Sequence, residues 1–381
     1  MLKGMKYRIY PNTEQIDFIE RQFSAVRFVW NKSLFLKDHY YKFRKISLDV
    51  NKDIKKLLAY AKTTEKYSWL KDFDSIALQQ SCINLDKTFK KFFNKQCGKP
   101  KFKKKFTYRP SSYHCTGVSV IDGAIKIPKL KQSIKARTHK IPEGKLKSIT
   151  LTKSPSGKYY ASCLFDDMKE LPESLKTIED SRIIGIDLGI KSFYTDSNGL
   201  MELNPKFLRQ TQKNLAVKQR KMSRKKLGSN NYKKAKNKVA KIHECNYNRR
   251  HDFQHKLSAK IVSENQAIIF ETLKIKKMTA KTKDKKRKHL SKSILDCGWS
   301  YFMTKVKYKL EQQGKHFVKI ESSFPSSQLC NCCNSKNPKV KDLKVRYWTC
   351  PICNAQHDRD VNAAINIKKQ GKLHLKHLII I

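Results

Sequence analysis

Four cysteines and three carboxylates carry the chemistry that this sequence could perform. Cys330-Asn-Cys332-Cys333 and Cys350-Pro-Ile-Cys353 are two Cys-x-x-Cys pairs in one short segment. Pairs at this separation predict a tetrahedral site of four thiolates, Cys330, Cys333, Cys350 and Cys353, around one structural Zn²⁺. Cys332 falls between two ligands and reads as a bystander. The acids stand at the ends of apolar elements. Asp187 lies in the run Ile183–Gly189, Glu271 closes the run Ala267–Phe270, and Asp360 opens a helix expected over Asp360–Lys369. Three converging carboxylates can hold two Mg²⁺ ions, or Mn²⁺ in their place, one activating water and one stabilising the leaving oxygen of a phosphodiester. Hard oxygen ligands suit Mg²⁺ better than zinc, so thiolates and carboxylates should bind different metals for different ends. Crowded acids should also raise at least one carboxyl pKa. Asp358 is the rival for the third position and reads as a helix cap or a supporting group.

Gly-Ile-Asp-Leu-Gly has another reading, because actin-like ATPases open a sheet with a similar motif. That reading requires further glycine-rich phosphate loops. The chain has 13 glycines and none cluster in that way. Zinc clip and acids together predict a nuclease with a structural zinc ribbon.

Charge identifies the partner class. Lys plus Arg number 83 against 32 Asp plus Glu, a net +51 in 381 residues. Such an excess costs stability by self-repulsion and suits a chain that binds a polyanion. No amphipathic helix with a clean apolar face accompanies it, which favours nucleic acid over a membrane. Lysine outnumbers arginine, so contact should fall mainly on phosphates and depend steeply on salt. The candidate contacts are Lys221, Arg224, Lys225, Arg249 and Arg250, with Lys101 and Lys103 in Gly98–Tyr108, where Phe102, Phe106 and Tyr108 could stack on bases. Lys336, Lys339, Lys341 and Lys344 are further candidates beside the zinc segment. Met1-Leu-Lys-Gly-Met lacks the apolar run of a signal peptide, and the tail Leu378–Ile381 is too short to span a bilayer. A cytoplasmic, nucleoid-associated protein with free thiols is expected. Oligomeric state stays open, with a monomer favoured.

Local patterns place these groups. Lys6–Tyr10 reads as a strand, and Asn12-Thr-Glu-Gln15 as a capping-box helix start. Ile16, Ile19, Phe23, Val26, Trp30 and Leu34 share the expected buried face. Helices follow over Asn51–Lys62 and from Asp74, the latter facing inward with Leu78, Cys82, Leu85, Phe89 and Phe92. Short alternating runs between Ser112 and Asp180 predict a β-barrel or sandwich that takes the first strand as a partner. Leu171-Pro-Glu-Ser reads as a linker. Basic helical sequence over 204–263 breaks at Gly228-Ser-Asn-Asn231. Lys274–Lys292 reads as a basic loop, Ile294–Gln313 as one helix, and Phe317–Ile320 as a strand.

Taken together these motifs resemble the TnpB family, transposon-encoded relatives of the CRISPR type V effectors. The resemblance runs over nearly the whole chain. It includes Tyr7-Arg-Ile-Tyr-Pro11, Arg27-Phe-Val-Trp-Asn31, Gly98-Lys-Pro-Lys-Phe102, Gly185–Gly189, Phe270-Glu-Thr-Leu273, Ser326–Cys330, Trp348–Cys353 and His357–Ala364. It implies an α/β multidomain fold: a RuvC-like, RNase H-fold nuclease domain over 181–323 and 358–381, with catalytic acids Asp187, Glu271 and Asp360. It further implies a zinc ribbon over 324–357, a basic lid over 204–263, a wedge-like barrel over 1–11 and 112–180, and a helical recognition domain over 12–111. The implied partners are a guide RNA from the transposon end and double-stranded target DNA beside a transposon-adjacent motif. A catalytically silent guided repressor and an unguided RuvC-type nuclease are the alternatives. Asn334 and Asn354 stand where the family has glycine after its cysteines, and asparagine also tolerates left-handed backbone.

Overall fold

The computed structural model describes residues 1–105, 111–280 and 284–375. Phe106, Tyr108 and the Leu378–Ile381 tail lie outside the described residues. The chain forms two compact units, Met1–Glu170 and Leu171–Ile381. Among the described residues no helix is long and apolar enough to cross a membrane.

The first unit begins with β1 (Leu2–Tyr10) and continues through α1 (Thr13–Arg44), α2 (Lys55–Thr63) and α3 (Ser75–Phe93). Six strands follow: β2 (Ser111–Cys115), β3 (Ser119–Ile121), β4 (Ala124–Lys126), β5 (Ile134–Arg137), β6 (Lys145–Lys153) and β7 (Tyr159–Asp166). They make one antiparallel sheet in the order β2-β6-β7-β1-β5-β4-β3, so the first strand sits between β7 and β5. Asn12 caps α1 reciprocally: its Oδ1 accepts from Gln15 N at 2.9 Å, and Asn12 N donates to Gln15 Oε1 at 3.0 Å. Ile16 is a correction, because it is exposed, while Gln15 and Gln22 turn inward. The buried arc sits slightly off the purely apolar stripe, since Gln15 Nε2 finds the Ser133 carbonyl and Gln22 Oε1 accepts from Asp74 N. Ile19, Phe23 and Val26 of α1 and Leu78 and Cys82 of α3 share one core with Tyr7, Ile125, Ile149 and Cys163 of the sheet. Glu20 fastens α1 to the sheet by accepting from Lys153 Nζ at 2.6 Å and Tyr159 Oη at 2.7 Å.

The second unit holds β8 (Ile183–Leu188), β9 (Ser192–Asp196), β10 (Met201–Leu203), α4 (Phe207–Ser223), α5 (Asn230–Glu264) and β11 (Ala267–Glu271). Next come α6 (Ile275–Met278), α7 (Lys285–Cys297), α8 (Trp299–Glu311), β12 (His316–Ile320), β13 (Tyr347–Thr349), β14 (Gln356–Asp358) and α9 (Arg359–Leu375). Its main sheet runs β10-β9-β8-β11-β12, with β8, β11 and β12 parallel and β9 antiparallel to β8. Both faces are covered, which is why β8 and β11 read as unbroken apolar runs. Strand alternation divides their residues. Ile184, Ile186, Leu188, Ile268 and Phe270 pack with Leu257 and Ile261 of α5 and Phe302 and Val306 of α8. Ile183, Ala267 and Ile269 pack with Ile367 and Leu375 of α9.

Two expectations are corrected in this unit. The segment read as a basic loop, Lys274–Lys292, contains α6 and most of α7. Its lysine density hid the register that buries Ile294 and Cys297. The helix expected over Ile294–Gln313 is broken at Gly298, whose φ of 66° is left-handed. The break at Gly228–Asn231 holds, with Ser229 capping α5.

Helix α9 lies directly on β8. A Cβ at Gly185 would come 2.2 Å from the Ala364 carbonyl oxygen and 2.4 Å from Lys368 N. One at Gly371 would meet the Ile269 side chain at 2.3 Å. Backbone cannot yield as a side chain can. Gly185→Ala should therefore destabilise the protein by about 2–3 kcal/mol and Gly371→Ala by less, read from denaturant unfolding. Equal or negligible losses would contradict the close contact.

Candidate active site and metal centre

Asp187 and Glu271 meet because of register. Ile186 pairs with Phe270 across parallel β8 and β11, so the next residues along, Asp187 and Glu271, lie side by side. Alternation turns both toward α9, the face of Ile183 and Ile269 rather than that of Ile186 and Phe270. Asp360 stands in the first turn of α9. Burial raises the Asp187 carboxyl well above its usual range, and the negative charges of Glu271 and Asp360 add to the effect. Arg359 and the Leu188 backbone N–H pull the other way. Burial raises Glu271 as well. Asp187, Glu271 and Asp360 are each half-buried, and the charges of Glu271 and Asp360 both act on Asp187.

The approach of Asp360 is fixed by its neighbours. Asp358 caps α9, its Oδ1 accepting from Asp360 N at 2.9 Å and Val361 N at 3.0 Å. Arg346 Nη1 sits 3.3 Å from both carboxylate oxygens of Asp360. Arg359, immediately before it, is buried and donates from Nη1 to the Asp342 carbonyl. Its own N–H reaches the Arg346 carbonyl at 2.8 Å.

These contacts come from the cysteine segment. Strands β13 and β14 pair antiparallel, Trp348 opposite His357, and β14 runs straight into α9. The four sulfurs of Cys330, Cys333, Cys350 and Cys353 all lie within 4.8 Å of one another. Cys330 and Cys353 are 3.6 Å apart, as are Cys333 and Cys350. A tetrahedron with Zn–S bonds of about 2.3 Å has S···S edges of about 3.8 Å, so the thiols fit zinc. The Cys353 backbone N–H, then the Ser335 hydroxyl, bring the Cys350 thiol down to about 5. Cys353, despite the Ala355 N–H, is pushed up to about 12 by burial and the neighbouring thiols, and burial raises Cys330, so the crowded sulfurs do not share their charge evenly. Asn334 and Asn354 adopt φ of 60° and 57°, the left-handed turns expected after each pair. Cys332 is exposed and sits with Cys330 and His357 in a three-residue group.

Several supporting residues escaped the sequence reading. His357 Nε2 lies 3.1 Å from Cys330 Sγ, with its ring 4.7 Å from that of Trp348. Asn362 and Asn366 are buried on α9 and tie the zinc turn to the helix. Asn362 Nδ2 and Asn366 Nδ2 both donate to the Leu329 carbonyl at 2.7 Å, and Asn362 Oδ1 accepts from Asn331 N. Two asparagines four apart in the otherwise apolar stretch Val361–Ile367 were the available signal.

The candidate contact residues divide. Lys221, Arg224 and Lys225 are exposed at the end of α4. Arg249 is exposed but stacks over Phe207 at 4.8 Å and donates to Gln210. Arg250 is turned inward, bonded to the Leu295 and Asp296 carbonyls and paired with Asp296 at 3.7 Å. In the other unit, Lys101 and Lys103 belong to a segment strapped to α1. Trp30 Nε1 donates to the Lys101 carbonyl, Lys103 lies 3.7 Å over the Trp30 ring, and Asn31 bonds the Lys103 backbone.

Comparison with known proteins adds an independent line. A family profile described as "Probable transposase" matches residues 168–282, "Cas12f1-like, TNB domain" matches 299–367, and "Helix-turn-helix domain" matches 1–45. In this structure residues 1–45 hold one strand and one long helix. A "Putative RNA-guided DNA endonuclease" from Streptomyces pristinaespiralis is 35% identical over 97% of this chain and 89% of its own length. The "Putative RNA-guided DNA endonuclease InsQ" of Escherichia coli K12 is 29% identical over 97% of this chain and 92% of its own. Among solved structures, that titled "Cryo-EM structure of the Cas12f1-sgRNA-target DNA complex" matches with a TM-score of 0.57 at 14% identity, covering 97% of this chain and 98% of that one. At that identity the likeness is one of fold.

Two outcomes follow from the site. Purified protein should carry about one zinc per chain, and Cys350→Ser should lose both zinc and folded yield; unchanged zinc and stability would reject the site. The second concerns Asp187. Its folded pKa is raised, so its contribution to stability is present below the unfolded value and is lost as pH rises through the window up to the folded value. In Mg²⁺-free buffer, Asp187→Asn should raise Tm at pH 8 by a few degrees, about 1 kcal/mol corresponding to about 2–4 °C. The gain should shrink as pH falls toward the ordinary carboxylate range. A loss of stability at pH 8 would contradict the crowding.

Proposed function

The chain belongs to the TnpB family, and on that premise we propose that it is an RNA-guided endonuclease that cuts double-stranded DNA beside a transposon-adjacent motif. The observation that carries this reading is the convergence of Asp187, Glu271 and Asp360 on one side of one sheet. The order β10-β9-β8-β11-β12, with three parallel strands and α9 across them, supports a RuvC-like, RNase H-type nuclease domain.

In this reading Asp187, Glu271 and Asp360 would hold two Mg²⁺ ions, whose chemistry would be activation of a water and stabilisation of the leaving oxygen. The chain's own residues prepare the place. Register fixes Asp187 beside Glu271, and Asp358 holds the backbone of Asp360. The Arg346 guanidinium offsets the Asp360 charge until a cation does so. The zinc clip is scaffold: it sets the start of α9 and takes no part in the chemistry. The +51 charge serves a folded guide RNA and two DNA strands, with sequence read by base pairing rather than by side chains. Exposed Lys221, Arg224 and Lys225 lie on the proposed basic lid over 204–263. The cytoplasm, at the nucleoid, is the proposed place of action.

The test is plasmid cleavage by protein purified from cells that carry the flanking element. Cutting should require Mg²⁺ and disappear after RNase treatment. Asp187→Ala, Glu271→Ala or Asp360→Ala should each lower the rate at least about 100-fold, roughly 2.7 kcal/mol of barrier, with guided binding retained. RNA-independent cutting would point to an unguided nuclease. Guided binding with no Mg²⁺-dependent cutting would point to a repressor.

A further inference from the structure

A cleft of about 530 Å³ opens in the second unit between α8, β12 and the turn that follows β11. Its volume falls in the range of about 300–1,000 Å³ typical of small-ligand sites. It begins at Leu273, two residues after Glu271, and lies against the sheet face opposite the acids, because Phe317 and Lys319 alternate with Val318 and Ile320, which face α9. The floor is apolar: Leu273, Ile275, Met303 and Phe317. The rim carries Lys274, Lys276, Lys277, Lys307 and Lys319, and no acid is among the lining residues. Ser300 and Thr304 add hydroxyls to one wall.

We propose that this cleft seats an unstacked nucleotide of the DNA strand that reaches the acids, base against the Phe317 floor and phosphates on the lysine rim. The inference rests on the nuclease reading above. Five lysines without a carboxylate select a polyanion. An aromatic and aliphatic floor selects a base whose face is free, which a duplex hides and a single strand offers. The position favours the strand under attack: Leu273, at the edge of the cleft, follows Glu271 by two residues at the carboxy end of β11. The cleft would thus anchor the strand on the sheet face opposite the acids, one nucleotide seated beyond the end of β11.

Photo-cross-linking tests this with the full chain and its bound RNA, in Mg²⁺-free buffer. The probe is a single-stranded DNA oligonucleotide carrying 5-iododeoxyuridine. Mass spectrometry should place the cross-link on Phe317 or Met303. Lys276→Glu with Lys277→Glu, both exposed positions, should lower its yield about tenfold while zinc content and Tm stay unchanged. Asp187→Ala should abolish cleavage and leave the cross-link intact. Cross-links mapping outside the cleft, or insensitive to the lysine changes, would overturn the proposal while leaving the nuclease reading untouched. A cross-link to the cleft from thiouridine-labelled guide RNA would overturn it by assigning the cleft to the RNA. A cleft cross-link in a complex that never cuts DNA would reject the nuclease reading and keep the cleft.

Discussion

The second unit depends on one close contact, the backbone of α9 against the backbone of β8 at Gly185. A strand and a helix normally stand apart by the thickness of their side chains. Here the Ala364 carbonyl and Lys368 N occupy the space a Cβ would need, and Gly371 makes the same allowance for Ile269 one turn further on. Because α9 lies so low, its first turn reaches the carboxy ends of β8 and β11. Those ends carry Asp187 and Glu271. A helix raised by even one methyl layer would still cover the core, but its aspartate would stand away from the other two.

The zinc clip addresses a second problem, that of chain distance. Asp360 is remote in sequence from Asp187 and Glu271, and a helix start is the part of a helix most prone to fray. The start of α9 is held from three directions: the Asp358 cap, the β13–β14 pairing, and the two buried asparagines that grip the turn at Leu329. Thiolates around a zinc would make that turn rigid without a large core; among the described residues the buried cluster there is Cys330, Val340, Trp348 and Cys350. The rigidity opposes an unfavourable arrangement of charge. Burial, joined by the charges of Glu271 and Asp360, raises the Asp187 carboxyl, and burial raises Glu271, an electrostatic cost that the surrounding packing must sustain.

Much of this was legible in the sequence, for identifiable reasons. The cysteine spacing is dictated by metal geometry, and β8 and β11 announce themselves because both faces are buried. An acid at the end of each run was visible, and the parity of 187 and 271 with their neighbours already placed each on a definite face. What the sequence hid was contact between distant segments. Arg346 beside Asp360, and Asn362 and Asn366 at Leu329, depend on a docking that no local pattern encodes. Helix α7 was hidden differently: a run of lysines looks like solvated loop, yet burial of Ile294 and Cys297 outweighs its self-repulsion. Ile16 shows the converse, an apolar residue on the expected stripe displaced by glutamines with partners inside.

The central claim is that three distant acids form a single divalent-cation site. Iron-mediated cleavage of the polypeptide measures this directly. Fe²⁺ with ascorbate and peroxide, substituted for Mg²⁺, generates radicals that cut the nearest backbone, and the fragments report which segments share the ion. The account predicts fragments ending near residues 187, 271 and 360 together, suppressed by excess Mg²⁺ and lost in Asp187→Asn. Cutting confined to one of these segments, or centred elsewhere in the chain, would contradict it.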